Sequence, residues 1–428
     1  MRRLDDLSAL LRTFGPNPNV VMHSGCSEPT VLARRMAEEA PQLTGTRLFT
    51  LMPMGNSPYA AETITAHIDV KTFFPGLGLR SAFGAGRVHP LRYPLSEICP
   101  LFDRGELRAD AIMVQVSPPD DTGRVSLGLS VDYMRSVLAQ SPTVIAEINP
   151  HMPHTCGDTL IPASDIDWYV DGDTRPQELV SRRADDVDIR IARNIAGLVR
   201  DGAVLQVGIG SLPDRVLSQL GHLKHLGVHS GIVSDGIQPL IEAGVIDNAM
   251  KKRFRGVCVT AMACGTHSFY EFLDRNSSIE FHSCALTHDR DLLASIDNLC
   301  AINGGLQVDL RGNVTAESAR GRRISMPGGL PDFAAGASRS RGGISIVGIR
   351  SAFADDDFSN IVVDFPNDVP VTVPSSDVDF VVTEWGVASL RNCDAAERAA
   401  ALIAIAHPDH REQLERDWRQ EKLVRLSG

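Results

Sequence analysis

The side chains able to do chemistry in this 428-residue chain are scattered rather than gathered into one motif. Its 8 cysteines, at 26, 99, 156, 258, 264, 284, 300 and 393, have no CxxC spacing and no dense framework. That usage fits buried or free thiols in a reducing cytoplasm better than disulfides. Cys264 stands three residues before His267, and Cys284 four before His288. A cysteine attacks as the thiolate and needs a depressed pKa to do so, so buried inert thiols are the simpler expectation for both. The pairs His151/His154 and His407/His410 have a spacing that could bind zinc on a helix. Each lies in a proline-bearing passage without an evident third ligand, so no metal is expected. No Walker sequence occurs, and GAGRVHP and GIGSLPD fall short of a dinucleotide fingerprint.

The stretch that best suits a reactive site is Val228 to Gly244, VHSGIVSDGIQPLIEAG. A short apolar strand enters a turn at His229, Ser230 and Gly231. After Ser234-Asp235-Gly236, the spacing of Ile237, Leu240 and Ile241 predicts a helix, which Gly244 stops. A strand-to-helix turn points side chains and backbone N–H groups into a cleft. His229 and Ser230 are neighbours in an extended chain and point apart, so adjacency alone makes no dyad of them.

The elements around this turn follow one grammar. Residues 19–24, 47–52, 109–116 and 143–149 read as buried strands, with a helix from Pro29 onward and an irregular glycine-rich segment at 73–90. The polar segment 171–190 is the expected linker. The pattern then restarts, with a helix from Asp188 to Arg200 and a strand at 203–210 ending in Gly208-Ile209-Gly210. Pro213 opens another helix, and further strands are expected at 253–265, 300–303, 343–349 and 379–386. Strands alternating with helices predict open, mostly parallel α/β sheets in two domains, 1–180 and 186–428, with the ligand site in the cleft between them.

Composition narrows the function. A net charge of -11 without a basic stripe argues against nucleic acid, and Lys251-Lys252-Arg253 and Arg322-Arg323 read as solvated clusters. Asp5 and Asp6 interrupt any signal-peptide pattern, and no apolar run is long enough to span a membrane. A soluble cytoplasmic protein is expected.

Eight passages in order carry a resemblance. They are SPPDDTGRVSLG (117–128), VIAEINPHMPHTCGD (144–158), LQVGIGSLPD (205–214), HSGIVSDGIQPLIEAGVI (229–246), INGGLQVDLRGNVTAES (302–318), GGLPDFAAGASRSRGG (328–343), VDFVVTEWGVASL (378–390) and IAHPDHR (405–411). Together they resemble the acetyl-CoA hydrolase/transferase family, which includes 4-hydroxybutyrate and acetate-type CoA-transferases. The resemblance implies two α/β domains of the CoA-transferase type, coenzyme A entering through the second half, and a homodimer. It implies a ligand loop at Gly208, Ile209 and Gly210. It also implies oxyanion donors at Gly328 and Gly329, which would stabilise a tetrahedral intermediate. Glu147 and Glu384 match acidic positions expected to hold the cleft.

One departure decides the chemistry. Transferases of this family attack acyl-CoA with a glutamate, forming an anhydride and then a glutamyl-CoA thioester. The matching residue here is Gly231, which has no side chain. His288 falls where the family commonly carries an asparagine beside that glutamate, and an imidazole could serve as a general base. The expectation is an enzyme that hydrolyses an acyl-CoA or passes its acyl group directly to a small carboxylate, water or another acceptor. The alternatives are conventional CoA transfer, with another carboxylate serving or Gly231 being an engineered replacement, and a non-catalytic binder of CoA esters.

Overall fold

In the computed structural model, residues 1–180, 185–353 and 358–426 are described, those after 420 by backbone alone. The expected linker at 171–190 falls partly outside them, at 181–184. The chain divides into two compact units. The first comprises Met1–Val180, Gly231–Asp235 and Val257–Asp289; the second comprises Ser181–Ser230, Gly236–Gly256 and Arg290–Gly428. This corrects the expectation of two contiguous halves. Strand Cys258–Thr260 pairs with Ile279–Phe281, which pairs with Cys156–Gly157, so backbone hydrogen bonds draw residues 257–289 into the first unit.

The first unit is built on eight parallel strands. From edge to edge they are Arg2–Arg3, Trp168–Asp171, Thr143–Ile148, Ala111–Val116, Asn19–Met22, Arg47–Thr50, Asp69–Thr72 and His89–Pro90. Ala111–Val116 is buried at every position, as its unbroken apolar run requires of a parallel strand covered on both faces. Val21, Ile112, Val114 and Tyr133 pack in one core layer, and Leu32, Met36, Val20 and Met113 in another. The chain leaves Asn19–Met22 toward one edge of the sheet and later returns to its other side with Ala111–Val116. The crevice at the carboxyl ends of these two strands is thus a topological switch point, the usual ligand position of an open α/β sheet. Segment 73–90 is more regular than its glycines suggest, with a helix at Arg80–Gly84 and an edge strand at His89–Pro90.

The second unit has five parallel strands, Gly227–Val228, Val204–Val207, Leu299–Gly304, Ile344–Gly348 and Phe380–Thr383, and an antiparallel sixth, Gly386–Ser389. Its switch point lies between Val204–Val207 and Leu299–Gly304. Helix Asp186–Ala196 is capped by Asp185, whose carboxylate accepts Asp188 N–H at 3.0 Å. No helix among the described residues is long and apolar enough to cross a membrane.

Candidate active site

Gly231 opens the short strand Ile232–Val233, which runs parallel to Met262–Ala263 in the first unit. Its carbonyl accepts N–H groups from Ala261 at 3.3 Å and Met262 at 3.2 Å. The position therefore contributes backbone only, held in register by strand pairing. Asp235, a few residues on, is committed to structure: its carboxylate takes the N–H and hydroxyl of Thr266.

His288 lies in the same unit, at the end of the turn Cys284–Thr287, with 1% of its surface exposed. Its Nδ1 is 2.8 Å from Thr287 Oγ1, and burial pushes its pKa down to about 3. The imidazole is neutral near pH 7 and takes up a proton only with difficulty. The residue type suits a base, while its surroundings penalise the charged form.

The expected glycine loops lie in the second unit. Gly208, Ile209 and Gly210 follow strand Val204–Val207 at the switch point and are partly exposed. Gly210 has φ +114° and ψ -176°, a conformation that side chains strongly disfavour, and it precedes helix Ser211–Leu217. Gly328 has φ +59°, and Gly329 caps helix Leu330–Arg339. Asp332 in the first turn of that helix is fully buried and accepts Arg290 Nε at 2.9 Å.

The least anticipated feature is in the first unit, where a cavity of about 370 Å³ is lined by Cys26, Glu28, Arg34, Asn56, Ser57 and Arg175 among others. Cys26 and Glu28 follow strand Asn19–Met22 and so sit at the switch point. Gln115, on the neighbouring strand, donates Nε2 to the Glu28 carbonyl at 2.8 Å, fixing the loop against the sheet. The Glu28 carboxylate accepts Tyr59 Oη at 2.5 Å, Ser57 Oγ at 3.2 Å and the Gly55 N–H. Burial nevertheless outweighs these donors and pushes its pKa up to about 7. No sequence motif marks Gly25 to Glu28. The signal available was an acidic residue between a buried strand and a proline-started helix.

Glu147 is buried and accepts Val31 N–H at 2.8 Å, Leu32 N–H at 3.3 Å and Thr30 Oγ1 at 3.2 Å. It thus satisfies the open N–H groups of helix Thr30–Glu38, which begins after Pro29. Glu384 accepts Ser351 Oγ at 2.5 Å and its N–H at 3.1 Å. His151 pairs with Asp173 at 3.1 Å and His154 faces Asp120 at 3.4 Å. Among the described residues no three histidine, cysteine or acidic side chains converge as a metal site would require.

Comparison with known proteins joins these observations. The pattern of the acetyl-CoA hydrolase/transferase N-terminal domain matches residues 2–181, and that of its C-terminal domain residues 265–418. The chain is 36% identical to the 4-hydroxybutyrate coenzyme A transferase of Clostridium kluyveri over 94% of each protein. It is 35% identical to the succinyl-CoA:acetate/propanoyl-CoA:succinate CoA transferase of Fasciola hepatica, over 94% of this chain and 86% of that one. The crystal structure of 4-hydroxybutyrate CoA-transferase from Porphyromonas gingivalis superposes with a TM-score of 0.83 at 31% identity, over 98% of each chain. With both domain patterns matched and relatives aligned over nearly its whole length, the chain belongs to the acetyl-CoA hydrolase/transferase family of CoA-transferases and acetyl-CoA hydrolases.

Proposed function

We propose that this enzyme processes acyl-CoA thioesters by hydrolysis or direct acyl transfer, without a glutamyl-CoA intermediate. The relatives act on short acyl-CoA esters and carboxylates, so a short acyl-CoA with water or a small acceptor is the substrate pair we assign. The observation that carries this reading is residue 231. A glycine stands where the family resemblance calls for the nucleophilic glutamate, and only its backbone is available for bonding. Gly208, Ile209 and Gly210 suit close approach of a coenzyme A chain. Gly328 and Gly329 suit donation of N–H groups to a developing oxyanion, which is usually a large catalytic contribution.

Turnover of an acyl-CoA panel in 18O-labelled water tests the proposal. Hydrolysis places one labelled oxygen in the released carboxylate, and direct transfer to a non-water acceptor yields the new acyl product with free coenzyme A. Coenzyme A binding without loss of any thioester would instead make the chain a non-catalytic binder. Exchange of coenzyme A between carboxylates at a rate typical of transferases would restore the conventional route.

A further inference from the structure

The lining of the first unit's cavity includes two arginines, Arg34 and Arg175, and one carboxyl group, that of Glu28. The Glu28 oxygens are already taken by Tyr59, Ser57 and the Gly55 N–H, and burial keeps much of the group protonated near neutrality. Neither guanidinium makes a hydrogen bond or ion pair with another described residue. Acids near them in sequence or space are committed elsewhere. Asp173 pairs with His151 at 3.1 Å, Glu178 accepts the His267 N–H at 2.6 Å, and Glu147 accepts the N–H groups of Val31 and Leu32. In a chain of net charge -11, two arginines left over on one cavity make it a site for an anion.

The backbone around this cavity is fixed from below. Gln115 donates Nε2 to the Glu28 carbonyl at 2.8 Å, and its Oε1 accepts Asn149 Nδ2 at 2.6 Å. The same Asn149 amide reaches the Thr174 carbonyl at 2.6 Å, beside Arg175. Arg34 stands on helix Thr30–Glu38, whose first turn is held by Glu147. Both arginines thus rise from segments tied to the central strands of the sheet. At about 370 Å³ the cavity lies at the small end of ligand sites, which run from about 300 to 1,000 Å³. It suits a short organic acid rather than a whole coenzyme A, and Ala33 and Pro58 add apolar wall for a carbon chain.

We propose that this cavity binds the carboxylate end of a short dicarboxylic substrate, with Arg34 and Arg175 as the groups that recognise it. This rests on the acyl-CoA reading above and narrows its substrate class, since a simple fatty acyl chain brings no charge to answer the two guanidinium groups. The dicarboxylate enters as the free acid or as the acyl group of its monothioester; the recognising chemistry is the same. A guanidinium presents paired N–H donors that match the two oxygens of a carboxylate. Arg34 and Arg175 are specificity-determining residues and take no part in bond making.

The test uses the full chain, with succinate, butyrate and inorganic phosphate in calorimetry and succinyl-CoA and butyryl-CoA in steady-state kinetics. Succinate or succinyl-CoA should be preferred over its butyrate counterpart. Arg34→Gln and Arg175→Gln should each weaken that preferred form about tenfold, in Kd for the free acid or in KM for the thioester. The KM for butyryl-CoA should stay within twofold, a split that a merely structural role would not give. An effect on succinate assigns the free acid to the cavity, and an effect on succinyl-CoA assigns the acyl group. Equal handling of the succinate and butyrate forms by wild type, phosphate bound as tightly as succinate, or variants within twofold on both succinate forms would overturn the proposal. If a variant does not fold, phenylglyoxal labelling of wild type decides: succinate or succinyl-CoA should protect Arg34 and Arg175, and unprotected labelling rejects the site. A wild type that consumes no thioester sinks the acyl-CoA reading, while succinate binding still judges the cavity by itself.

Discussion

Tyr59 donates its hydroxyl to Glu28 at 2.5 Å, with both side chains buried against the switch point of the first sheet. Burial of the Glu28 carboxyl, which this contact only partly offsets, shapes the pH response of the fold. Glu28 has a folded pKa of about 7 against an ordinary value of 4.5, so the folded state holds the extra proton between those limits. Its stabilising contribution is complete below pH 4.5 and is lost as pH rises through 7. Asp132, raised to about 6 by burial, acts in the same direction from 3.8 upward. His23, lowered to about 4, and His288, lowered to about 3, act oppositely: each loses stability as pH falls below 6.5. Between pH 4.5 and 6 the two acids and two histidines offset one another. In Glu28→Gln the histidines prevail, and urea unfolding should show stability rising by about 1.4 kcal/mol per pH unit in that window relative to wild type. An unchanged slope would contradict the assignment of Glu28.

His288→Asn provides the mirror image. With one histidine removed the buried acids prevail, so stability should fall with increasing pH between 4.5 and 6 relative to wild type. Catalysis should lose less than tenfold, because a base with a pKa near 3 contributes little proton transfer at neutrality. A sharp loss of turnover in a well-folded variant would return His288 to the role of base.

Arg290 is the partner of the fully buried Asp332 in the first turn of helix Leu330–Arg339. Arg290→Met keeps the aliphatic stem but removes the guanidinium hydrogen bond to the buried carboxylate, and should destabilise the protein by roughly 1–3 kcal/mol. Arg290→Lys should recover part of the loss. Thermal denaturation of the three proteins checks this, and an unaltered midpoint in Arg290→Met would count against the pair.

Gly210 tests the ligand loop. A Cβ there would meet nothing within 4 Å, so Gly210→Ala acts through the +114° φ alone. Relieving strain of order 1–3 kcal/mol requires the loop to move. Coenzyme A binding measured by calorimetry should weaken about tenfold, with only a modest fall in melting temperature. Unchanged affinity would remove the loop from the site.

Alternation of apolar runs with helical stretches exposed the α/β class, because strands buried on both faces admit few polar residues. The strand Ala111–Val116 and the Gly208–Gly210 turn were legible for that reason. The membership of 257–289 in the first unit was not, since it depends on pairing with Cys156–Gly157, which are more than a hundred residues away in the chain. Local sequence does not encode such pairing. His288 shows the same limit for chemistry: residue type announces an imidazole, while burial decides what it can do. Cys26 and Glu28 escaped notice because a strand's carboxyl end gains meaning only once its neighbours in the sheet are known.

Whether any carboxylate side chain becomes bonded to coenzyme A during turnover decides between the two routes. Wild-type enzyme should be incubated with acyl-CoA, treated with borohydride, and digested for mass spectrometry. The result expected is continued activity after treatment, with no glutamyl or aspartyl residue reduced to its alcohol and none carrying coenzyme A. Inactivation with a single acidic residue reduced, or coenzyme A recovered on one, would contradict it.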